Sequence, residues 1–445
     1  MASTKLVFAN REQHRQWLGT QAPLPAGFRI GTHTFGFTPV EVGKPARMTL
    51  TVLALDRPTP DFAAVFTKNH LVGAPVFIGR RRVAEPGSSL GAVAINNKIS
   101  NVGTADGMEA AERTCAGVAA ALGIRQDLVL PASTGVIGWR LPQAAMLDAI
   151  GPAVAALCPD SALPAALGIM TTDLYPKIRR AVVGGSGGSG GSIVGFAKGA
   201  GMVEPNLATM LVYLLTDLQV GREDLRRLLA GISDLTFNRI SVDSDTSTSD
   251  AVVLAASGKT PCPDLAAFES ALYTVCADLA EDIVRNGEGV RHVMRISVQN
   301  APSEAVARAL GRGIANSPLW KTAVSGNDPN VGRLGMALGK NLGLWAPEVD
   351  INRVRLSLGE EVLFERGVFA LSPEKESRLR AYLEEAELYR SAPPENGIFA
   401  PPVDFPPHER RVEVGVDLGS GNARSEVLGA DLTHEYVSEN ADYRS

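Results

Sequence analysis

The residues best suited to chemistry lie in one segment, Lys198-Gly-Ala-Gly-Met-Val-Glu-Pro-Asn-Leu-Ala-Thr-Met-Leu211. Within it, Ala208 and Thr209 read as a self-cleavage point. A threonine hydroxyl is a poor nucleophile until a base removes its proton, and an N-terminal threonine carries that base in its own α-amine, whose pKa lies near neutrality. Cutting the Ala208–Thr209 bond would therefore create nucleophile and base together. An Ala-Thr pair alone could equally open an apolar strand; the surrounding segment is what gives the pair meaning.

Further blocks recur along the chain in a fixed order: Val65-Phe-Thr-Lys-Asn69, Ser133-Thr-Gly-Val-Ile-Gly138, Met170-Thr-Thr-Asp173, Asp243-Ser-Asp-Thr-Ser-Thr-Ser-Asp250, Gly287-Glu-Gly289, Asn316-Ser-Pro318 and Asp328-Pro-Asn-Val-Gly-Arg333. With the Lys198 segment they make the chain, from about Gly27 to Ser445, resemble the ornithine acetyltransferase, or glutamate N-acetyltransferase, family. Members of that family mature by cutting before the threonine of the matching motif. Leu207 stands where the motif has methionine, and Ser325 and Val331 stand where histidine and tryptophan are expected, which points to an altered pocket there.

The resemblance implies roles residue by residue. Thr134 and Gly135 match an oxyanion-hole pair, in which a hydroxyl and a backbone N–H stabilise developing negative charge. Read without it, Gly135 and Gly138 suit a tight turn. Lys198 matches a substrate-contacting lysine, able to hold a carboxylate or to depress the pKa of the Thr209 amine. Thr171 matches a substrate contact; spacing leaves Thr172 as a second candidate and helix capping as a rival role for either. Glu288, between two glycines, matches a glutamate that would meet an α-amino group. Asn440 and the terminal Ser445 match substrate contacts near the C-terminus. The stretch Asp243 to Asp250 reads as a structural loop near the site, its short side chains bonding local backbone, and Asp328, Asn330 and Arg333 as groups that order another loop.

The implied reaction is ping-pong acyl transfer. Thr209 takes the acetyl group of N2-acetylornithine, releases ornithine, and passes the acetyl to glutamate through an acyl-threonine intermediate. No cofactor is required, and the setting is arginine or ornithine metabolism or a related specialised pathway. Two other readings remain open: an amidohydrolase in which water resolves the acyl-threonine, and an uncleaved, inactive binding protein of the same fold. The resemblance also implies an α/β fold with layered sheets between helices. Self-cleavage would yield two interwoven subunits, 27–208 behind an N-terminal extension of 1–26, and 209–445, assembled as a heterotetramer.

Composition narrows the alternatives. With 445 residues, 45% hydrophobic and 20% charged, the chain can bury a large core or two. A net charge of −5 without a basic block argues against a nucleic-acid partner. Arg80-Arg-Arg82 reads as a solvated turn. No apolar run reaches bilayer length and the start lacks a secretory core, so a cytoplasmic protein without a membrane partner is expected. Cys115, Cys158, Cys262 and Cys276 form no CxxC pair, Cys115 and Cys276 fall on apolar helix stripes, and the histidines never pair at ligand spacing. No metal is expected.

The positioning elements are legible in pattern. Met48 to Ala54, Ala92 to Ile95 and Met210 to Leu215 are apolar runs of strand type, the last of them buried on both faces. Met108 to Leu122, Pro142 to Leu157 and a stretch opened by Asp264 and ending near Arg285 carry helical stripes, while Arg411 to Leu418 alternates as a half-buried strand. Gly184 to Ser192 is a Gly/Ser repeat, expected as a flexible loop without chemistry, natural or engineered.

Overall fold

The computed structural model describes residues 6–184, 190–204, 210–391 and 402–441. The chain divides into two compact units: a larger one of Arg15–Asn238 with Asp245–Ile283, and a smaller one of Met1–His14, Arg239–Ser244 and Val284–Ser445.

In chain order the larger unit contains α1 (Arg11–Gln21), which begins in the smaller unit, β1 (Phe28–Phe37), β2 (Ala46–Thr59), β3 (Phe62–Phe66), α2 (Ala74–Ala84), β4 (Leu90–Asn96), α3 (Gly107–Leu122), β5 (Val129–Ser133), α4 (Gln143–Ala155), α5 (Leu163–Gly168), β6 (Lys177–Val183), β7 (Gly191–Lys198), β8 (Leu211–Leu218) and α6 (Arg222–Leu235). After β9 (Ile240–Ser241), a strand of the smaller unit, come β10 (Ala251–Thr260) and α7 (Leu265–Arg285). The strands form a four-stranded sheet, β1-β2-β4-β5, and a five-stranded sheet, β3-β10-β8-β7-β6.

Layering follows from strands that are apolar on both faces. Along β2, Leu53 and Leu55 join Val93, Phe196, Tyr213 and Val253 in a core between the two sheets. The alternate residues Leu50, Val52 and Ala54 pack instead with Cys115, Val118, Met146 and Ile150 of α3 and α4. Since successive side chains of a strand point to opposite faces, a continuous apolar run is what a sheet covered on both sides requires. Strand β8 has the same character, all eight of its residues being buried, and Gly195 of β7 meets Val275 and Leu279 of α7 on the outer face. The result is helix, sheet, sheet, helix: the layered α/β fold expected.

The smaller unit adds β11 (Val293–Ala301), α8 (Glu304–Ala315), α9 (Pro318–Ser325), α10 (Val331–Trp345), β12 (Arg355–Leu358), β13 (Glu361–Glu365), β14 (Val368–Phe369), α11 (Pro373–Ala386), β15 (Val412–Asp417), β16 (Ala423–Ala430) and α12 (His434–Ala441). Its seven-stranded sheet runs β14-β13-β12-β15-β11-β16-β9. Val412, Val414 and Val416 face a core shared with α8, α10 and α11, and the residues between them are half-buried, the alternation of a sheet covered on one face. Asn330 caps α10 by accepting from the Arg333 N–H, and its amide reaches Asp328, the ordering role expected of that block.

Two expectations need correction. Arg80-Arg-Arg82 lies within the second half of α2, not in a turn: Arg82 is buried, ion-paired to Glu112 at 2.6 Å and bonded to the Val129 carbonyl. The flexible loop expected over Gly184 to Ser192 does not include its last two residues, because Gly191 and Ser192 are buried in β7 and the Ser192 N–H donates to Asp217; residues 185–189 of it lie outside the described residues. In the N-terminal extension, to which the sequence assigned no role, Leu18 and Ala22 belong to the core between the sheets and the Ala162 N–H donates to the Ala22 carbonyl at 2.8 Å.

Candidate functional site

Ala208, Thr209 and Ser445 lie outside the described residues. The other candidates fall into two groups, one in each unit.

In the larger unit, Thr134 and Gly135 follow β5 directly. The Thr134 N–H donates to the Asn96 carbonyl and the Val136 N–H to that of Lys98, so the loop folds tightly over Lys98 and Ile99. Gly135 sits at φ +125°, where a Cβ would lie 2.2 Å from the Lys98 carbonyl carbon. Only glycine fits such a position. The turn thereby fixes the Thr134 hydroxyl, which accepts a 3.2 Å hydrogen bond from Nζ of Lys198, the last residue of β7. Both side chains are buried.

Thr171 and Thr172 occupy the turn between α5 and β6. No helix starts at either, so the capping role does not arise. Their turn is closed by Asp173, whose carboxylate accepts from the Thr171 N–H at 3.0 Å and from the Gly199 N–H at 2.9 Å, and pairs with Lys177 Nζ at 2.5 Å. Asp173 therefore ties residues 171–173 to the backbone immediately after Lys198. Burial acts to raise its pKa, but the Lys177 and Lys198 ammonium groups and the Gly199 N–H outweigh it and hold the carboxyl well below the usual range.

A second acid marks the start of β10. Asp250 is 4% exposed, and its Oδ2 has no hydrogen-bond partner. Burial pushes its carboxyl well above the usual range, against the opposing pull of the Ser247 hydroxyl, Lys198 and the Met210 backbone N–H. The rest of the Asp243 to Asp250 stretch behaves as a structural loop: Thr246 Oγ1 donates to the Glu204 carbonyl, and the Ser247 carbonyl accepts from Thr67 Oγ1.

In the smaller unit, Glu288 is buried in the turn after α7, and its Oε2 accepts from Asn440 Nδ2 of α12 at 2.9 Å. Gly289 does more than leave room for a ligand. It sits at φ +63°, where a Cβ would lie 2.2 Å from the Tyr436 backbone nitrogen, and its carbonyl accepts from Thr433 Oγ1 at 2.7 Å. This close approach seats α12 against the Glu288 turn. Glu439, on the same helix, is pushed up to about 7 by burial and by the neighbouring Glu288 charge.

The structure thus joins Thr134 to Lys198 and, through Asp173, to the Thr171 turn, and separately joins Glu288 to Asn440. Sequence reading had assigned no site role to Asp173 or Lys177, and to Asp250 only a place in a structural loop. The Asp173–Lys177 spacing of four residues was the available cue for the first two; nothing in the hydroxyl-rich run separated Asp250 from its neighbours. Among the described residues, no group of three His, Cys, Asp or Glu side chains is placed to hold a metal ion, and no helix is long and apolar enough to cross a membrane.

A buried hydroxyl held by a lysine on a tight turn, beside a strand that follows a candidate cleavage motif, is a constellation suited to acyl transfer. The ArgJ family model matches residues 37–445. The chain is 37% identical over 398 residues to the arginine biosynthesis bifunctional protein ArgJ of Ruegeria pomeroyi, covering 88% of this chain and 90% of that protein. It is 39% identical over 393 residues to the protein of the same name from Methylococcus capsulatus, covering 86% and 88%. Among solved structures, the ArgJ protein of Bacillus halodurans aligns with a TM-score of 0.43 and 32% identity, over 52% of this chain and 98% of that one. The chain belongs to the ArgJ family.

Proposed function

We propose that this ArgJ-family acyltransferase cuts itself between Ala208 and Thr209 and then uses Thr209 to move an acetyl group from N2-acetylornithine to glutamate. The α-amine released by the cut takes the Thr209 hydroxyl proton as Oγ attacks the acetyl carbonyl; ornithine leaves, and glutamate resolves the acyl-threonine. Thr134 and the Gly135 N–H are the oxyanion donors. Thr171, Thr172, Lys198, Glu288, Asn440 and Ser445 hold the substrates, with Glu288 facing an ammonium group.

The observation that carries this reading is the contact between Lys198 and Thr134, 64 positions apart in sequence and both buried. A lysine ammonium only donates, so the Thr134 oxygen accepts from it and the hydroxyl proton is left to point elsewhere. That is the polarity an oxyanion donor needs. The neighbouring positive charge strengthens the donation.

The sheet also suits a cut chain. Strand β8 pairs with β7 on one side, Leu211 opposite Lys198, and with β10 on the other, so the 1–208 and 209–445 parts stay hydrogen-bonded across it. The same reading has these parts assemble as a heterotetramer of cleaved chains in the cytoplasm, with small amino-acid substrates and no cofactor.

Intact mass spectrometry of the purified protein, before and after incubation with N2-acetylornithine, tests the proposal. The expected result is two fragments divided between Ala208 and Thr209, with one acetyl gained on the Thr209 fragment and lost when glutamate is added. A single chain without an adduct would overturn it, and loss of the acetyl to water alone would replace the transferase by an amidohydrolase.

A further inference from the structure

The larger unit buries an ion pair to which the acyl-transfer reading gives no task. Asp173 and Lys177 meet at 2.5 Å with both side chains fully out of solvent. Taking two charges out of water costs about as much as their attraction returns, and a well-packed apolar pair of similar volume is often no less stable. Stability alone therefore does not account for them. What an apolar pair could not do is hold backbone. Asp173 Oδ2 accepts from the Thr171 N–H at 3.0 Å, and Oδ1 accepts from the Gly199 N–H at 2.9 Å as well as from Lys177. Asp173 and Gly199 are 26 positions apart. The two segments so joined carry Thr171, half-buried, and Lys198, whose Nζ donates to Thr134 Oγ1 at 3.2 Å. The Asp173 charge also acts on Lys198 directly, and the Lys177 and Lys198 ammonium groups together keep the carboxyl ionised. One negative charge among two positive ones leaves the cluster with a positive excess, which a substrate carboxylate would balance.

We propose that Asp173 is a positioning residue for substrate binding: with Lys177 as its counterion, it fixes the Thr171 turn against the end of β7 that carries Lys198, so that both meet the same substrate. The proposal rests on the reading above that Thr171 and Lys198 hold substrate. Asp173 itself touches none, since its two oxygens are taken by backbone and by Lys177. Lys177 keeps that carboxylate ionised in a place where burial would otherwise favour its neutral form.

Steady-state kinetics and thermal unfolding of the full protein test this with Asp173→Asn and the double variant Asp173→Asn/Lys177→Met. Asparagine keeps the shape but gives up one acceptor, because its amide nitrogen only donates. Alone it strands Lys177 as a buried charge and is expected to melt below the wild type. Adding Lys177→Met removes the stranded charge, and the melting temperature is expected to return most of the way. Substrate binding is not expected to return with it. In both variants KM for N2-acetylornithine should rise roughly 10- to 100-fold, the loss that a small misplacement of holding groups causes, with kcat within a few-fold of wild type. Recovery of KM together with stability in the double variant overturns the proposal, because the ion pair would then serve the fold alone. An unchanged KM in Asp173→Asn overturns it as well. So does a double variant that is stable but stays uncut by intact mass, which would give the acid a task in maturation instead. A wild type that transfers no acetyl defeats the reading of the site itself, a failure visible before any variant is compared.

Discussion

At the scale of single residues, the proposed chemistry turns on where protons can go. Thr134 accepts from Lys198, and its proton is what an oxyanion would receive. Replacing it by valine keeps the branched shape and removes the donor, so kcat should fall by about 100- to 1000-fold, the usual worth of one oxyanion donor. Thr134→Ser should retain most of the rate, and steady-state kinetics of the two variants decide the point; equal losses would assign Thr134 a packing role. The hydroxyl-bearing motif was legible in sequence through its match to the family motif; read alone, its glycines gave only a tight turn. The two acids that matter most around it were not. Nothing in Met170-Thr-Thr-Asp173 or in the run ending at Asp250 says that one carboxylate will be clamped by two backbone N–H groups and a lysine, or that the other will be buried with an oxygen to spare. Burial of a charge is a property of three-dimensional neighbours.

At the scale of elements, strands were easier to read than surface stripes. The runs Ala92 to Ile95 of β4 and Met210 to Leu215 entering β8 are apolar at every position, and Met48 to Ala54 of β2 at all but two, because both their faces are covered, and a run of that kind has few other uses. Arg80-Arg-Arg82 misled for the opposite reason: three arginines suggest solvent, yet Arg82 runs inward along α2 to Glu112 of α3 and the Val129 carbonyl of β5. Long basic side chains bury their stems and find partners at the tip. Helix α12 offers a test of the same electrostatics. Burial and the Glu288 charge push Glu439 up to about 7 in the folded state, against about 4.3 for the unfolded chain. The folded state therefore holds a proton that the unfolded state has released between those values, and the stability Glu439 contributes falls as pH rises through that window. Glu439→Gln should melt higher than the wild type at pH 8, and the difference should vanish below pH of about 4. Melting curves that stay parallel across the range would show that burial and the Glu288 charge leave Glu439 an ordinary carboxyl.

At the scale of the molecule, the match to the ArgJ family begins at residue 37, yet the core of the larger unit begins earlier. Leu18 and Ala22 stand among Phe28, Ile30, Ala162 and Ala166 between the two sheets. Trp17 is stacked under the Arg179 guanidinium, 4.8 Å from its ring centre, while Arg179 pairs with Asp282 of α7 at 2.6 Å. Within the N-terminal extension, α1 is thus part of what closes the sheet sandwich. The sequence pattern gave little warning, because one helix turn of apolar residues in a polar helix is a weak stripe. If α1 were only draped on the surface, shortening its core residue would be harmless. Packed as it is, Leu18→Ala should lose about 2–5 kcal/mol of unfolding free energy, the cost of a cavity at a filled site. Arg15→Ala, at an exposed position of the same helix, should change it by no more than about 0.5 kcal/mol. Denaturant titration of the two variants beside the wild type measures the contrast, and equal effects would return the N-terminal helix to the surface.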